Sequence, residues 1–352
     1  MTPAVPVARR SKSLSSQIGL TERIFSSAED RATAADIEKG LALVEEGLLR
    51  EVAFADGIAD VTSRYLLSAG GKRVRPLLTL LTAQLGDGTT AEVLTAAEAV
   101  EITHLASLYH DDVMDEAEQR RGVPTAQSVW GNSVAILTGD LLFGRASKLV
   151  ASLGARAIEL QADTFERLVL GQLHETVGPQ PDEDPVDHYL GVLADKTGSL
   201  LGAAAQLGVH FSGAAREYEE PVLLFGERIG VAFQLVDDVL DLSPKVEETG
   251  KVAGTDLRAG VPTLPLLYLR RRAGEDPAAA SLLERLDTAI ADDSPALPDA
   301  IAELRDHEVT AVTLAESRRW AGEAVDALAP LPEGTVKKAL TRFAEAMVER
   351  SS

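Results

Sequence analysis

The chain has 352 residues, 45% of them hydrophobic, which is enough for a large buried core. Its 34 Lys and Arg residues against 55 Asp and Glu residues give a formal net charge of −21, which argues against nucleic acid or an anionic lipid surface as a general partner. The absence of cysteine excludes disulfides, thiolate zinc sites and cysteine nucleophiles, and it fits a cytoplasmic protein.

Residues 1–30 are predicted to form a disordered tail. The segment "MTPAVPVARRSKSLSSQ" is basic, rich in Ser and Pro, and lacks the apolar stretch of a secretory signal. An organelle transit peptide is the alternative interpretation of a basic start that contains serine. Farther along the chain, no run of residues is apolar for long enough to predict a transmembrane segment.

The rest of the chain is predicted to form one all-α domain, residues 31–352. From about Ala34 onward, apolar residues recur every three or four positions, as in "ADIEKGLALVEEGLLREV", which is the period of an amphipathic helix. Strand-like alternation is absent, and breaks such as "GDGTT" and "GPQPDEDP" are too short to link separate domains. We therefore expect a large helical bundle around a central cavity, with the nearly all-apolar "LLGAAAQLGVHF" at its centre.

The segment "GGKRVRP" is a candidate anion-binding site at the start of a helix. It contains Gly71, Lys72 and Arg75, and a proline in the first turn of the predicted helix. Glycine lets backbone N–H groups approach an anion, and the helix N-terminus adds a favourable dipole. Taken alone, the segment fits a capped helix end with solvated basic residues better than an anion site.

Two acidic motifs of the same spacing, "DDVMD" and "DDVLD", each follow an apolar helical run. Their carboxylates are Asp111, Asp112 and Asp115 in the first motif and Asp237, Asp238 and Asp241 in the second. On a helix the first and last aspartates of each motif share a face one turn apart. Carboxylates without His or Cys partners suit hard cations such as Mg²⁺. A single motif could be a solvated helix end, but two copies favour a metal site.

Several other polar residues interrupt apolar helices or follow the first motif. These candidates are His104, Arg120, Arg121, Lys196, Thr197 and Gln234. Arginine forks bind phosphate oxygens in pairs, whereas each of the helical residues could instead be a hydrogen-bonded core group. Together the motifs predict two opposed metal-binding walls with a basic rim, and substrates that combine a diphosphate head with an apolar body.

Five segments, in order, carry a family resemblance: "GGKRVRP", "DDVMDEAEQRRG", "DKTGSL", "FQLVDDVLDL" and "GTDLRAGVPTLP". The chain resembles the trans-polyprenyl diphosphate synthases from about Ala34 to beyond Leu267. The resemblance implies an isoprenoid synthase fold and a homodimer. It also implies head-to-tail condensation of isopentenyl diphosphate onto an allylic diphosphate, farnesyl or geranylgeranyl, with two or three Mg²⁺ ions that Mn²⁺ can replace.

The resemblance also assigns roles to individual residues. All six aspartates would hold metal, with Asp111, Asp115, Asp237, Lys196, Thr197 and Gln234 as the catalytic group. The allylic diphosphate would be bound by Arg120, Lys196, Thr197, Gln234 and Lys251. Isopentenyl diphosphate would be bound by Gly71, Lys72, Arg75, His104 and Arg121. One position departs from the family pattern: Val261 stands where many relatives have lysine, which removes one possible diphosphate contact.

Product length is predicted from the helix that leads into Asp111. Ala106 and Ser107 are small where short-chain relatives place bulky aromatic residues, and Thr103, Ala99 and Ala96 continue the small face. The small face predicts a long tunnel. The segment "THLASLYHDDVMDEA" also resembles the long-chain branch of the family that makes quinone side chains, so we predict a hexaprenyl to nonaprenyl product. The alternatives are a geranylgeranyl diphosphate synthase, a class I terpene cyclase and a non-catalytic regulatory subunit. The last two usually lack "GGKRVRP" or some of the aspartates that this chain retains.

Overall fold

The computed structural model describes residues 23–25, 30–243, 253–292 and 294–349. Most of these residues are helical and strands are confined to one two-residue pair, which confirms the predicted all-α class. Most of the predicted tail and the candidate Lys251 lie outside the described residues. The α-helices of the described residues are α1 Arg31–Glu51, α2 Gly57–Ser68, α3 Val74–Ala83, α4 Ala91–Met114, α5 Ala126–Trp130, α6 Asn132–Leu153, α7 Ala155–Val177, α8 Pro185–Leu193, α9 Ser199–Phe211, α10 Glu219–Asp241, α11 Thr255–Arg258, α12 Leu264–Ala273, α13 Pro277–Ala291, α14 Leu297–Asp306, α15 Glu308–Ala327 and α16 Thr335–Val348.

Three short elements depart from regular α-helix. A hairpin of β1 Gln119–Arg120 and β2 Val123–Pro124 follows α4, a π-helical turn occupies Ala194–Gly198, and a 3₁₀ turn occupies Arg216–Tyr218. The sequence did not predict the hairpin because two-residue strands carry no alternating pattern. Its loop is Arg121–Gly122, and both residues have positive φ (54° and 75°), the combination that a type I′ turn requires.

The chain divides into two compact units. The first unit comprises the described residues of Met1–Phe165, Leu200–Gly226 and Ala327–Phe343, and the second those of Glu166–Ser199, Glu227–Asp326 and Ala344–Ser352. Each unit is made of three segments, and the segments of the two units alternate along the sequence. The prediction of a single domain stays a prediction.

In the first unit, the apolar helix α9 packs closely against α3. Residues 200–209 are all buried, which agrees with the predicted central position of this segment. The hydroxyls of Thr79 and Thr82 donate to the carbonyls of Ala204 and Ala205, at 2.9 and 2.8 Å. A Cβ at Gly208 would lie 2.2 Å from the Thr79 carbonyl oxygen, so glycine permits this approach. The contact fixes α3 and the basic loop that precedes it.

The second unit has its own core, made by the amphipathic helices that follow the second acidic motif. Its members include Leu242, Leu257, Leu269, Leu282, Leu286, Ile301 and Leu304, each no more than 1% exposed. A smaller cluster joins Tyr189 and Leu193 of α8 to Leu235 of α10 and Leu264 of α12. This cluster anchors the end of α10, where the second acidic motif lies.

Candidate active site

The first acidic motif lies at the C-terminal end of α4. Asp111 is in the last turn, and Asp115 caps the helix with its N–H donating to the Asp111 carbonyl at 2.8 Å. The carbonyl groups at this end carry partial negative charge, so further carboxylates here are electrostatically unfavourable unless a cation compensates them. The position therefore fits a cation site better than a helix cap.

Asp112 is the buried member of this motif. One carboxylate oxygen, Oδ1, accepts from Nε of Arg120 at 2.6 Å. The other, Oδ2, is buried and has no hydrogen-bond partner within the described part of the chain. Burial raises the pKa of Asp112, and the Arg120 charge opposes that rise. A buried carboxylate oxygen without a partner is costly, which fits an additional ligand at this position.

In the hairpin after α4, the side chains of the consecutive residues Arg120 and Arg121 have different partners. Arg120 lies in β1 and turns to Asp112, whereas Arg121 lies in the tight turn with a positive φ. Nη1 of Arg121 donates to the carbonyls of Leu66, at 2.7 Å, and Gly70. Burial lowers the pKa of Arg121 to about 10. The two guanidinium groups therefore have different surroundings, as two separate diphosphate contacts would require.

The basic loop before α3 is held by a buried arginine, Arg73. Its φ of 49° is unusual for a residue other than glycine, and it precedes the first residue of α3 directly. Arg73 donates to Glu45 at 2.7 Å and to Glu101 at 3.1 Å. A Cβ at Gly71 would lie 2.3 Å from Nη1 of Arg73, so a larger residue at position 71 would displace this guanidinium group. Lys72, between them, is exposed.

Arg75 and His104 lie near Arg73, Arg120 and Arg121, and we call these five residues the cationic cluster. Nε of Arg75 is buried without a hydrogen-bond partner in the described residues. The pKa of His104 lies well below its ordinary value because of burial and, after that, the positive charges of Arg75, Arg121, Arg120 and Arg73. The imidazole is therefore neutral at physiological pH. Four arginines around a neutral histidine, one of them with a buried donor that has no partner among the described residues, are an arrangement that fits a multiply charged anion.

The residues assigned to product length lie one to two turns before Asp111. Ala106 is fully buried and Ser107 is 7% exposed, and the small residues Ala96, Ala99 and Thr103 are buried on the same helix. The hydroxyl of Thr103 accepts from the side-chain amide of Gln161 on α7 at 3.0 Å. The small side chains thus face the interior of the first unit, and their role in chain length stays a prediction.

The second acidic motif lies at the C-terminal end of α10, so it shares the unfavourable helix-dipole position of the first. Asp238 is buried and accepts from the Tyr189 hydroxyl at 2.9 Å and the Leu264 N–H at 3.3 Å. Burial, which outweighs the effect of these donors, raises the pKa of Asp238 to about 8. Oδ2 of Asp241 accepts from the Asp256 N–H at 3.0 Å. Asp238 and Asp241 are thus held by the segment after the motif.

The other candidates of the second unit lie on two elements. Lys196 and Thr197 are half-buried in the π-helical turn, and Nζ of Lys196 donates to Oε2 of Glu175. Gln234 is half-buried on α10, one turn before Asp237. Val261 lies between α11 and α12, where its N–H donates to the Asp256 carbonyl at 2.9 Å.

The structure also identifies supporting roles that the sequence did not suggest. Arg73 and Glu101 hold the basic loop, Tyr189 holds Asp238, and Glu175 pairs with Lys196. Glu101 could have been noticed in the sequence because it is a charged residue on the face of α4 that is buried. Tyr189 and Glu175 lie on ordinary amphipathic helices, and Arg73 lies in the basic loop before α3; only the folded chain reveals their partners.

The donor set of the acidic motifs fits a hard divalent cation. It consists of carboxylates alone, and Asp112 keeps one oxygen without a partner in the described residues. Within those residues, no three His, Asp or Glu side chains of either unit converge closely enough to enclose an ion. Mg²⁺ characteristically uses one or two carboxylates and takes its remaining ligands from water and substrate phosphates.

Comparison with known proteins decides the family. The polyprenyl synthetase family model matches residues 58–300, more than half of the chain. The chain belongs to the polyprenyl synthetase family. It is therefore a prenyltransferase of the family that uses isopentenyl and allylic diphosphates, and family membership implies dependence on a divalent metal ion.

Individual relatives of this polyprenyl synthetase cover nearly the whole chain. A nonaprenyl diphosphate synthase of Mycobacterium tuberculosis is 44% identical over 91% of this chain and 95% of its own length. A decaprenyl diphosphate synthase of Rhodobacter capsulatus superposes with a TM-score of 0.79 at 32% identity, covering 92% of this chain and 99% of that one. A geranylgeranyl pyrophosphate synthase of Corynebacterium glutamicum, solved with calcium and isoprenyl diphosphate, superposes with a TM-score of 0.78 at 38% identity, covering 93% and 99%. These matches confirm the isoprenoid synthase fold.

None of the helices in the described residues combines the length and hydropathy needed to cross a bilayer.

Proposed function

We propose that this synthase adds isopentenyl diphosphate units head-to-tail to farnesyl or geranylgeranyl diphosphate, giving an all-trans product in the hexaprenyl to nonaprenyl range. Each cycle breaks the allylic C–O bond, forms a C–C bond to the isopentenyl unit, and releases diphosphate and a proton. The 44% identity to a nonaprenyl diphosphate synthase and the small residues at positions 106 and 107 support the long product. A quinone side chain is the proposed use.

The cationic cluster of the first unit carries this proposal. Arg75, Arg121 and Lys72 would bind isopentenyl diphosphate, with the buried Nε of Arg75 gaining the partner that it lacks among the described residues. His104 would contribute as a neutral hydrogen-bonding group, since its pKa lies well below the ordinary value. A neutral imidazole neither competes with the arginines for the anion nor repels them.

Arg120, Lys196 and Lys251 would bind the allylic diphosphate. The oxygens of Thr197 and Gln234 would lie against the allylic carbon as positive charge develops there, because a dipole oriented toward that charge needs no reorganisation. The proton leaves with the released diphosphate, so no side chain is needed as a general base.

The aspartates of both motifs would hold two or three Mg²⁺ ions, with Mn²⁺ as a substitute. When bound, these ions supply Lewis-acid stabilisation of the departing diphosphate. Asp111, Asp115 and Asp237 would be the principal ligands. Asp112 would be fixed by Arg120, and Asp238 by Tyr189.

A geranylgeranyl diphosphate synthase is the second candidate, and one observation favours it. The geranylgeranyl pyrophosphate synthase of Corynebacterium glutamicum is 38% identical to this chain. Both candidate functions would use the same diphosphate and metal site and would differ in the depth of the product tunnel. Sizing the products therefore separates them.

Arg75→Gln tests the isopentenyl diphosphate site. We expect the KM for isopentenyl diphosphate to rise roughly tenfold or more, since a hydrogen bond to a charged group contributes about 1.5–3 kcal/mol. The KM for the allylic primer should stay unchanged. Arg64→Gln is the matched control, because Arg64 lies in the same unit and pairs with Asp60 at 2.8 Å at the surface. An unchanged isopentenyl KM in Arg75→Gln would refute the assignment.

A homodimer is the proposed assembly. Helix α6 exposes Ile136, Leu137 and Leu141, with Leu137 65% exposed, and the first half of α7 exposes Ile158 and Phe165. A cluster of large exposed apolar side chains marks an interaction surface, and a second copy of this chain would cover it in a symmetric pair.

A further inference from the structure

The π-helical turn at Ala194–Gly198 interrupts an otherwise regular helical segment between α8 and α9. Such turns occur mostly as isolated bulges and are frequent at functional sites. The Ser199 N–H donates to the Ala194 carbonyl, five residues back, and the Ser199 hydroxyl donates to the Asp195 carbonyl at 2.5 Å. The turn thus satisfies backbone groups that a π-helix takes out of the α-helical pattern, and it carries Lys196 and Thr197.

Two glycine contacts hold the backbone of the turn within the second unit. A Cβ at Gly171 of α7 would lie 2.6 Å from the Lys196 backbone nitrogen and 3.0 Å from Cβ of Asp195. A Cβ at Gly198 would lie 2.8 Å from the carbonyl oxygen of Glu227 on α10. The turn therefore lies directly against both helices and can shift little toward either one.

One face of α7 supplies three successive contacts to the turn. Arg167, Gly171 and Glu175 follow each other at intervals of four residues, so they share a face of the helix. Nε of Arg167 donates to Oδ1 of Asp195 at 2.9 Å, and Nζ of Lys196 donates to Oε2 of Glu175.

Arg167 also contacts the third element of this arrangement. Its Nη1 donates to Oε1 of Glu227 on α10, so one guanidinium joins α7, the turn and α10. The Arg167 side chain is 38% exposed. Ion pairs with that much solvent exposure contribute little to folding stability. A planar guanidinium that binds two carboxylates nevertheless fixes the orientation of both.

We propose that Arg167 is a positioning residue for diphosphate binding: by joining Asp195 to Glu227, it sets the π-helical turn so that Lys196 and Thr197 meet the allylic diphosphate. This inference rests on the proposed role of Lys196 and Thr197. Glu175 is the counter-ion of Lys196 when no diphosphate is bound. Loss of Arg167 removes the ion pairs that orient Asp195 and Glu227 beside the turn, and even a small reorientation of a tightly packed turn displaces the lysine and threonine that it carries.

Arg167→Met is the test, with binding and kinetic measurements. A displacement of about 1 Å can cost roughly a hundredfold, so we expect the KM for farnesyl diphosphate to rise between ten- and a hundredfold. The KM for isopentenyl diphosphate should not change. Binding of magnesium and farnesyl S-thiolodiphosphate, which does not ionise, should weaken by the same factor in calorimetry. Arg167→Lys should restore part of the loss.

Two further variants distinguish positioning from general damage. Arg285→Met is the matched control, because Arg285 forms an exposed pair with Glu303 at 2.5 Å in the same unit and should leave both KM values unchanged. In a Lys196→Ala background, Arg167→Met should lose part of its effect, because the charged group that it positions is absent and only Thr197 remains.

Three outcomes would overturn the proposal. They are an unchanged analogue affinity in Arg167→Met, a loss confined to kcat with a lower unfolding midpoint, or full additivity with Lys196→Ala. A wild-type protein that binds the analogue but extends no primer would refute the proposed function instead, and the binding measurement would still decide the role of Arg167.

Discussion

Glu98→Gln should stabilise the protein at alkaline pH. Glu98 lies in the first half of α4 with its carboxylate against α1, where a Cβ at Gly47 would lie 1.8 Å from Oε1. Its arginine neighbour, Arg50, is 3.8 Å away and 67% exposed. Burial raises the pKa of Glu98 from 4.5 to about 7, and Arg50 opposes that rise only in part.

The direction and size of the effect follow from this pKa. Between pH 4.5 and 7 the unfolded chain releases the Glu98 proton while the folded protein retains it, so folding stability falls as pH rises and levels off above pH 7. A difference of about 2.5 in pKa corresponds to roughly 3 kcal/mol of folding free energy. Because solvent reaches this part of the protein near Arg50 and screens the charge, we expect about 2 kcal/mol. Glutamine has the same shape and no charge to bury.

Urea unfolding followed by circular dichroism measures the effect. The free energy of unfolding of Glu98→Gln minus that of the wild type should grow by about 1–2 kcal/mol from pH 5.5 to pH 8. Glu92→Gln, at an exposed position in the first turn of the same helix, is the control and should show no such growth. A difference that is independent of pH, or that shrinks toward pH 8, would refute the reasoning.

Three further predictions concern product, metal and assembly. Ala106→Phe or Ser107→Phe should shorten the product measured by reversed-phase chromatography, and an unchanged distribution in both would exclude α4 as a wall of the product tunnel. Mg²⁺ with inorganic diphosphate at a hundred times its dissociation constant should stabilise the protein by about 2.7 kcal/mol in thermal unfolding, and EDTA should remove the effect; equal stability with and without Mg²⁺ would contradict a metal-bridged site. Leu137→Asp should yield a monomer in light scattering while Val312→Asp, at an exposed apolar position of α15, should not; a dimer in both would exclude the α6 surface.

The sequence predicted the helical class and several local features because these depend on the period and spacing of residues. The apolar run of α9 is buried, and both aspartate motifs lie at helix C-terminal ends, as helices that run into acidic segments imply. What the sequence could not predict depends on tertiary contacts. The tight turn at Arg121–Gly122 separates two adjacent arginines, and the π-helical turn depends on Gly171, which is distant in sequence.

The partners of charged residues were likewise beyond prediction. Asp238 keeps its Tyr189 partner 49 residues away, and Arg73 lies 28 residues from both of its glutamates. No spacing rule connects such pairs, because the helices that bring them together are ordered by core packing and not by local sequence.

The most direct test of the account is the size of the product that the wild-type protein makes. The protein is incubated with Mg²⁺, labelled isopentenyl diphosphate and farnesyl diphosphate, and the products are dephosphorylated and sized by mass spectrometry. We predict an all-trans series that ends between hexaprenyl and nonaprenyl. A product that stops at geranylgeranyl would contradict the long-chain assignment, and no incorporation with any allylic primer would contradict the proposed activity itself.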